Sequence, residues 1–261
     1  MKKYPTCMTD SQWQILSKWL VTEERQRKHS LRQIIDAIFY LSKSGAQWRM
    51  LPNDFPKWQL VYYYFRKFSA NGILELLHDN LIPVFRRDQK REESPSLGLL
   101  DSQSVKSASV TAEKGIDANK KINGRKRFIV TDTLGLVLAL VVTSAAVQER
   151  EGAKLVLQEL RGKYTRLTKI LADQGFSGDE FGAWVKKTCQ WTLDVVCKVL
   201  GISGFHVLPQ RWVVERTFGW MMFQRRLVKD YEVKIEHSTS FIHVAMIRIM
   251  LQKLRPSAEY S

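Results

Sequence analysis

The sequence of 261 residues contains only three cysteines and no long uninterrupted hydrophobic run. Cys7, Cys189 and Cys197 are odd in number and lack CxxC spacing, which argues against a disulfide framework and predicts free thiols in a reducing compartment. The longest apolar stretch, residues 134–147, is broken by Thr and Ser and is shorter than the ~20 residues that a membrane helix needs. The N-terminus has no apolar signal segment. We therefore expect a cytoplasmic protein that does not enter a membrane.

Sequence motifs for nucleotide cofactors and for zinc are also missing. There is no Walker A lysine loop and no GxGxxG, so neither ATP nor a dinucleotide is expected as a cofactor. The five histidines show no HExxH or other paired-ligand spacing, which argues against zinc. His206 lies nearest to the candidate site discussed below, and a structural role is the better interpretation for it.

Acidic residues are scarce relative to basic ones. The chain has 26 Asp and Glu against 41 Lys and Arg, a formal net charge of +15. In a compact fold, so many positive charges repel one another unless a polyanion neutralises them. A nucleic acid is such a polyanion, and its binding to basic residues releases counterions. An anionic membrane surface is the alternative partner, but the basic residues are spread along the chain instead of lying on one amphipathic helix.

Residues 1–92 carry helical signals only. Thr9 with Gln12 and Ser30 with Gln33 form capping boxes, each of which begins a run with helical apolar spacing. Gly45 and Gly72 end the second and third predicted helices. A helical domain with basic outer faces is a common way to present a helix to DNA, although a helical bundle without a DNA role fits these residues nearly as well.

The predicted second domain, residues 93–261, begins within a polar linker candidate at residues 88–96. Beyond this linker, the spacing of apolar residues changes from that of helices to that of strands. Strands are predicted over 97–105, 125–133, 135–144, 168–176 and 191–197, with helices between and after the later ones. Three strands joined by short turns form an antiparallel meander, and the later strands enter parallel through right-handed crossovers. This order predicts an α/β domain with a ribonuclease-H-like core, a five-stranded mixed sheet with helices on both faces, preceded by the all-α domain.

Three carboxylates occupy positions that this topology brings together. Asp101 follows apolar residues of the first strand, Asp173 ends the fourth, and Glu215 lies on the long helix after the fifth. The first and fourth strands are expected to be parallel neighbours, so the two aspartates are expected to lie close together. Clustered carboxylates repel each other unless a cation holds them, and oxygen ligands suit Mg²⁺ or Mn²⁺. Two such ions activate the attacking oxygen and stabilise the leaving oxygen of a phosphodiester.

Each acid taken alone also has a purely local interpretation. Asp101 can cap a turn with Ser102 or Ser104, and Asp173 can form an Asx-turn. Glu215 can pair with Arg211 or Arg216 along its helix. The coincidence of all three at one end of one sheet favours the metal site over these separate local roles.

The sequence blocks LDSQSVKSA, LADQGFSG and LPQRWVVERTFGWMMFQRRLVKDYE resemble the bacterial insertion-sequence transposases of the DDE type. The similarity is to insertion sequence family five, within the wider family-four superfamily, and extends to FYLSKSGAQWRMLPNDFPKW in the N-terminal half. It implies that Asp101, Asp173 and Glu215 are the catalytic triad. It also implies DNA cleavage at element ends followed by strand transfer. Of the superfamily's Tyr-Arg-Glu-Lys signature, Arg211 and Glu215 match, whereas Leu208 and Met222 replace Tyr and Lys.

Basic residues cluster around the proposed metal site. The stretch 114–127 reads as a loop between the first two strands and is expected to hold the DNA backbone; a solvated charged loop is the alternative. On the glutamate helix, Arg225 and Arg226 are candidates for the missing cation, and Trp220 for stacking on an unpaired base. The predicted DNA contacts are Lys114, Lys120, Lys121, Arg125, Lys126, Arg127, Arg211, Arg216, Trp220, Arg225 and Arg226.

The sequence thus predicts a transposase that binds terminal inverted repeats and target DNA, needs Mg²⁺ or Mn²⁺ as two ions, and uses no nucleotide cofactor. A homodimer is expected in the DNA complex, because two element ends must be brought together. Two alternatives stay open: a nuclease or resolvase of the same fold, and a DNA-binding protein without catalysis, such as a domesticated copy.

Overall fold

The computed structural model describes residues 4–20, 28–196 and 211–254. In this part of the chain the helices are α1 (Asp10–Ser17), α2 (Leu31–Ser44), α3 (Trp58–Ala70), α4 (Ile73–Asp88), α5 (Glu149–Leu160), α6 (Asp179–Cys189), α7 (Trp212–Met222), α8 (Arg225–Val228) and α9 (Ile235–Lys253). The strands are β1 (Leu97–Lys106), β2 (Gly115–Asp117), β3 (Ile122–Thr131), β4 (Val137–Ser144), β5 (Lys169–Asp173) and β6 (Thr192–Val196).

Contacts divide the chain into a helical unit and a sheet unit. The sheet unit is Glu92–Trp220, and the helical unit joins the residues up to Arg91 with those from Met221 onward. The sequence predicted one catalytic domain over 93–261, whereas by contacts its last part groups with the N-terminal helices. How the chain divides into functional domains stays a prediction.

The helical unit is built around α9. Fourteen of its nineteen residues are buried, and it packs against α2, α3 and α4. A helix that is buried all round needs partners on every side, which explains why this C-terminal segment groups with the N-terminal helices. Both predicted capping boxes are present, at Thr9 and Ser30. Gly45 ends α2 in the left-handed region (φ 71°), where a Cβ would lie 3.0 Å from that of Arg225.

The sheet unit contains a mixed sheet in the order β2-β3-β1-β5-β6, with β4 also paired to β3. β1, β3 and β4 form the predicted antiparallel meander. β5 pairs parallel to both β1 and β6. The sheet and its packed helices have the ribonuclease-H-like fold that the element order predicted. The short β2 is an additional strand that the sequence did not indicate.

The basic stretch 114–127 is not one loop, as the sequence suggested. Residues 115–117 form β2, and β3 begins at Ile122, three residues before the predicted start. The strand begins earlier because Ile122, Asn123 and Gly124 pair with β2. The basic residues of the stretch that stay exposed are Lys114, just before β2, and Lys120 and Lys121 in the turn between β2 and β3.

α5 lies directly on the sheet next to the candidate site. It packs against β3 and β4, and a Cβ on Gly152 would overlap the ring of Phe128. The absence of a side chain at this residue lets the helix approach closely, and this approach places the first residue of α5, Glu149, beside the end of β5. Across the described ranges, no helix has both the length and the apolar character needed to cross a bilayer.

Candidate active site

Asp101 and Asp173 lie at the same level of two neighbouring parallel strands. The register pairs Leu99 of β1 with Leu171 of β5, and each aspartate is two residues further along its strand. Because side chains alternate with period two, Asp101 and Asp173 project from the same face of the sheet. The predicted proximity of these two carboxylates is therefore confirmed by strand register.

A single guanidinium group joins the two carboxylates. Arg211 Nη2 lies 3.5 Å from Asp101 Oδ2 and 3.3 Å from Asp173 Oδ2. The three side chains are mostly enclosed, with exposed fractions of 15% for Asp101, 33% for Asp173 and 18% for Arg211. Two carboxylates in such a position need a positive charge between them, and in this structure Arg211 supplies it.

The surroundings of Asp101 disfavour its charged form. Burial raises the pKa of this carboxyl to about 6, and the negative charge of Asp173 acts in the same direction. The Ser102 N–H, Arg211 and Lys120 oppose that rise. A second cation in the site would lower this pKa by the same electrostatic effect.

Local hydrogen bonds hold the other oxygen of each aspartate. The backbone N–H of Ser102 donates to Asp101 Oδ1 (2.7 Å), and that of Gly175 donates to Asp173 Oδ1 (2.9 Å). Each aspartate therefore has both a local contact and a shared one: a backbone N–H fixes its Oδ1, and its Oδ2 faces Arg211.

Glu215 does not join this pair. Its side chain is exposed in the first turn of α7, and the described residues include no group of three or more His, Cys, Asp or Glu that could hold a metal ion. Neither helix ion pair proposed for it is formed in that part of the chain. Arg211 contacts the aspartates, and Arg216 donates to the Leu134 carbonyl oxygen (2.9 Å).

Comparison with known families accounts for nearly the whole chain. The family model for transposases of the IS4/5 family matches residues 8–78. The model for the transposase DDE domain matches residues 92–250, which is more than half of the chain. The chain belongs to the DDE transposase family. Among curated proteins, none matches this transposase.

In the transposase, Glu149 is a further carboxylate that the sequence did not single out. It lies close to the segment that follows Asp173, because a Cβ on Gly175 would be 3.0 Å from Asp173 Oδ1 and 4.0 Å from Glu149 Cγ. Glu149 Oε1 lies 3.4 Å from Lys126 Nζ and 3.8 Å from Lys120 Nζ. Its Oε2 is enclosed without a hydrogen-bond partner in the described structure. Glu149 and Gly175 line a common cleft of about 290 Å³. The sequence offers little to identify Glu149, because an acidic residue at the start of a helix normally indicates only a favourable interaction with the helix dipole.

Asp117 and Lys126 form a buried network that lines the same cleft. Lys126 Nζ lies 3.3 Å from Asp117 Oδ2, and both side chains are about 5% exposed. Burial would raise the pKa of Asp117, but hydrogen bonds from the Ser104 hydroxyl, the Lys120 N–H and Lys126 lower it to about 2. A buried ion pair with its hydrogen bonds satisfied fixes β2 against β3.

Three of the predicted DNA contacts in the basic stretch are buried in β3. Arg125, Lys126 and Arg127 are at most 4% exposed. Arg125 donates to the Ala112 carbonyl oxygen (2.7 Å) and Arg127 to Gln103 Oε1 (3.3 Å). As placed, these side chains stabilise the sheet and present no surface to DNA. The exposed members of the stretch are Lys114, Lys120 and Lys121.

The basic residues of the C-terminal helices also divide into two kinds. Arg226 is buried and donates to Glu232 Oε1 through two nitrogens (2.6 and 2.9 Å), whereas Arg225 is exposed. Arg216 lies between the rings of Trp212 and Trp220, 4.5 and 4.6 Å from their centroids. Trp220 therefore makes a cation–π contact with Arg216. Leu208, His206 and Cys197 lie outside the described residues.

Proposed function

We propose that this transposase binds the terminal inverted repeats of an insertion sequence and catalyses Mg²⁺-dependent cleavage and strand transfer. The observation that carries the proposal is the pair Asp101 and Asp173, held at one level of parallel strands and sharing one cation. Carboxylate oxygens in such an arrangement are the ligands that Mg²⁺ and Mn²⁺ prefer. The two aspartates therefore fit a divalent metal.

In this proposal Asp101 and Asp173 hold the metal, and Glu215 is the third catalytic carboxylate. A bound divalent ion, or a pair of ions, would polarise the scissile phosphodiester and lower the pKa of an attacking water or 3′ hydroxyl. The backbone N–H groups of Ser102 and Gly175 orient the aspartates for this role. Arg211, which neutralises the pair in this structure, is then free to contact a DNA phosphate.

Exposed cations of both units are proposed to hold the DNA backbone. Lys120 acts on the charge of Asp101 and is exposed, so it is well placed to contact a phosphate beside the reacting one. Lys114 and Lys121 lie in the same region, and Arg225 is an exposed cation of the helical unit. Such contacts fix the register of DNA and carry no sequence information. Because two element ends must be joined, we propose that a homodimer acts on them.

The test uses labelled element-end DNA with Mg²⁺ and the variants Asp101→Ala, Asp173→Ala and Glu215→Ala. Each is expected to abolish cleavage and strand transfer while leaving DNA binding in Ca²⁺ or EDTA intact. Calorimetry with Mg²⁺ gives a second readout: Asp101→Ala and Asp173→Ala should remove metal binding. Cleavage that survives in one variant would remove that residue from the mechanism.

The position of Glu215 favours one alternative function. An exposed glutamate separated from an Arg-paired aspartate couple also fits a DNA-binding protein without catalysis. That protein would bind inverted-repeat DNA but would show no Mg²⁺ binding in calorimetry and no product with 3′-hydroxyl ends. A nuclease of the same fold would cleave the DNA and never join the 3′ end to a target.

A further inference from the structure

A second cleft lies in the helical unit and plays no part in the proposed catalysis. It has a volume of about 280 Å³ and is lined by the segment that leads into α1 and by residues of α2 and α9. We call it the Arg248 cleft. The residues that carry the argument are Thr6, Phe39 and Arg248.

Arg248 is a buried cation that has no counter-charge among the residues the structure describes. The residue is 6% exposed, and its Nε is enclosed without a hydrogen-bond partner. No ion pair or hydrogen bond joins it to another group in the described ranges. Burial lowers the pKa of this guanidinium. An enclosed charge that lacks a partner is costly, so this position calls for a ligand of opposite charge.

The groups around Arg248 add positive charge and do not neutralise it. Burial lowers the pKa of Lys43, and the positive charges of Arg248 and Arg225 lower it further. Asp36, on the same helix as Phe39, accepts a hydrogen bond from the Met8 N–H (2.8 Å), and the cation that acts on its charge is Arg32.

Thr6 adds an uncharged donor to the cleft. Its hydroxyl oxygen is enclosed and finds no hydrogen-bond partner within residues 4–20, 28–196 and 211–254, and the residue lines the same cleft as Arg248. A guanidinium and a hydroxyl that both lack partners form a donor set for an oxygen-rich anion. Phe39 contributes an apolar wall, which strengthens charge interactions by excluding water.

We propose that the Arg248 cleft binds a small oxyanion, and specifically a phosphate group. The planar fork of Arg248 suits phosphate oxygens, and the cleft lies just below the roughly 300–1,000 Å³ typical of organic-ligand pockets. The phosphate group has two possible sources: free inorganic phosphate, or the terminal 5′ phosphate of a DNA end. Internal phosphates of a duplex are excluded as a source because the guanidinium is enclosed.

The experiment measures thermal unfolding and calorimetric binding of the full chain with inorganic phosphate, against chloride at equal ionic strength. Wild type should show a saturable rise in Tm. Arg248→Met should lose it, with affinity weakened by about ten- to a hundredfold, as removal of a charge-assisted hydrogen bond predicts. Lys67→Gln removes an exposed charge of the same unit and is the matched control, in which the rise should persist.

Folding of the variants is checked without phosphate. Arg248→Met should unfold at or above the wild-type Tm in chloride, because it removes an unpaired buried charge. Thr6→Val keeps that charge and should weaken phosphate binding by only about three- to tenfold, the effect of one neutral hydrogen bond. Thr6→Val also provides the test if Arg248→Met fails to fold.

Displacement by DNA separates the two sources. If a 5′-phosphorylated duplex displaces phosphate and the same duplex without that group does not, the source is a DNA end. If neither duplex displaces it, the source is free phosphate. No phosphate-dependent rise in wild type, or an equal rise in wild type and Arg248→Met, overturns the proposal. Since neither readout involves cleavage, failure here leaves the proposed catalytic function untouched.

Discussion

Two aspartates, one in each unit, have the same perturbed pKa and different surroundings. Burial raises the pKa of both Asp101 and Asp36 to about 6. Asp101 faces a second carboxylate and shares Arg211 with it. In the part of the chain that the structure describes, Asp36 accepts a hydrogen bond from the Met8 N–H and is influenced by the charge of Arg32. A raised pKa therefore does not by itself identify an active site; a facing carboxylate is the sign that distinguishes the two.

The largest expected difference between the two aspartates is in activity. Asp101→Asn keeps the size and the Ser102 contact but removes a carboxylate that we propose holds the metal, so we expect DNA cleavage to fall by about 10³-fold or more. Asp36→Asn should leave the cleavage rate within about twofold, since Asp36 belongs to the helical unit and has no role in the proposed catalysis. Cleavage is measured in single-turnover assays on labelled DNA ends. A large loss of cleavage in Asp36→Asn would contradict the prediction that the two aspartates differ in their role.

The second prediction concerns Asp36 and the pH dependence of stability. Asp36 has a folded pKa of about 6 against a usual value of 3.8, so its contribution to stability is fully present below pH 3.8 and is lost as pH rises through 6. The variant Asp36→Asn has no carboxyl group to ionise, so this loss of stability does not occur. Its side-chain oxygen can still accept the hydrogen bond from the Met8 N–H. At pH 7 we expect an increase of about 2–3 kcal/mol in the free energy of unfolding, from 1.36 kcal/mol per pKa unit as an upper bound.

Urea unfolding at pH 4 and pH 7 checks this prediction. The stability of Asp36→Asn relative to wild type should increase between the two pH values. An equal difference at both would show that the titration of Asp36 is not linked to folding.

A third experiment removes the cation that Asp101 shares with the facing carboxylate Asp173. Arg211→Met leaves Asp101 and Asp173 facing each other, so metal-free protein should lose about 1–3 kcal/mol of stability at pH 7. Added Mg²⁺ should recover most of that loss. Arg32→Met, which removes the cation acting on Asp36, should show no recovery with Mg²⁺. The readout is the urea midpoint with and without Mg²⁺, and equal recovery in both variants would contradict the prediction.

The smallest expected effect concerns Lys120, whose charge lowers the pKa of Asp101. Because its side chain is 43% exposed, solvent screens this influence, and Lys120→Gln should raise the pKa of Asp101 by less than about 0.5 units. Carboxyl NMR titration of the metal-free protein measures it. Lys121→Gln removes an adjacent exposed charge and should produce no shift. A larger shift in Lys121→Gln would show that the turn has a different arrangement near the site.

The sequence by itself determined the features that depend on contiguous patterns. Short strand-like apolar segments predicted the five main strands and their order, and this order made Asp101 and Asp173 neighbours. The capping pairs at Thr9 and Ser30 fixed the starts of two helices. These signals are reliable because both strand period and helix capping act over a few residues.

Only the tertiary structure decided which charged residues are buried and which partners they have. Lys126 looks like a surface cation in sequence, yet Asp117 and Glu149 enclose it from separate elements. Arg211 is spaced to pair with Glu215 along a helix, yet it contacts two aspartates about 110 and about 40 residues away. The physical reason is that a charge can be buried when a counter-charge or carbonyl oxygen meets it in space, and that meeting is set by strand pairing and helix packing, not by neighbours in the chain.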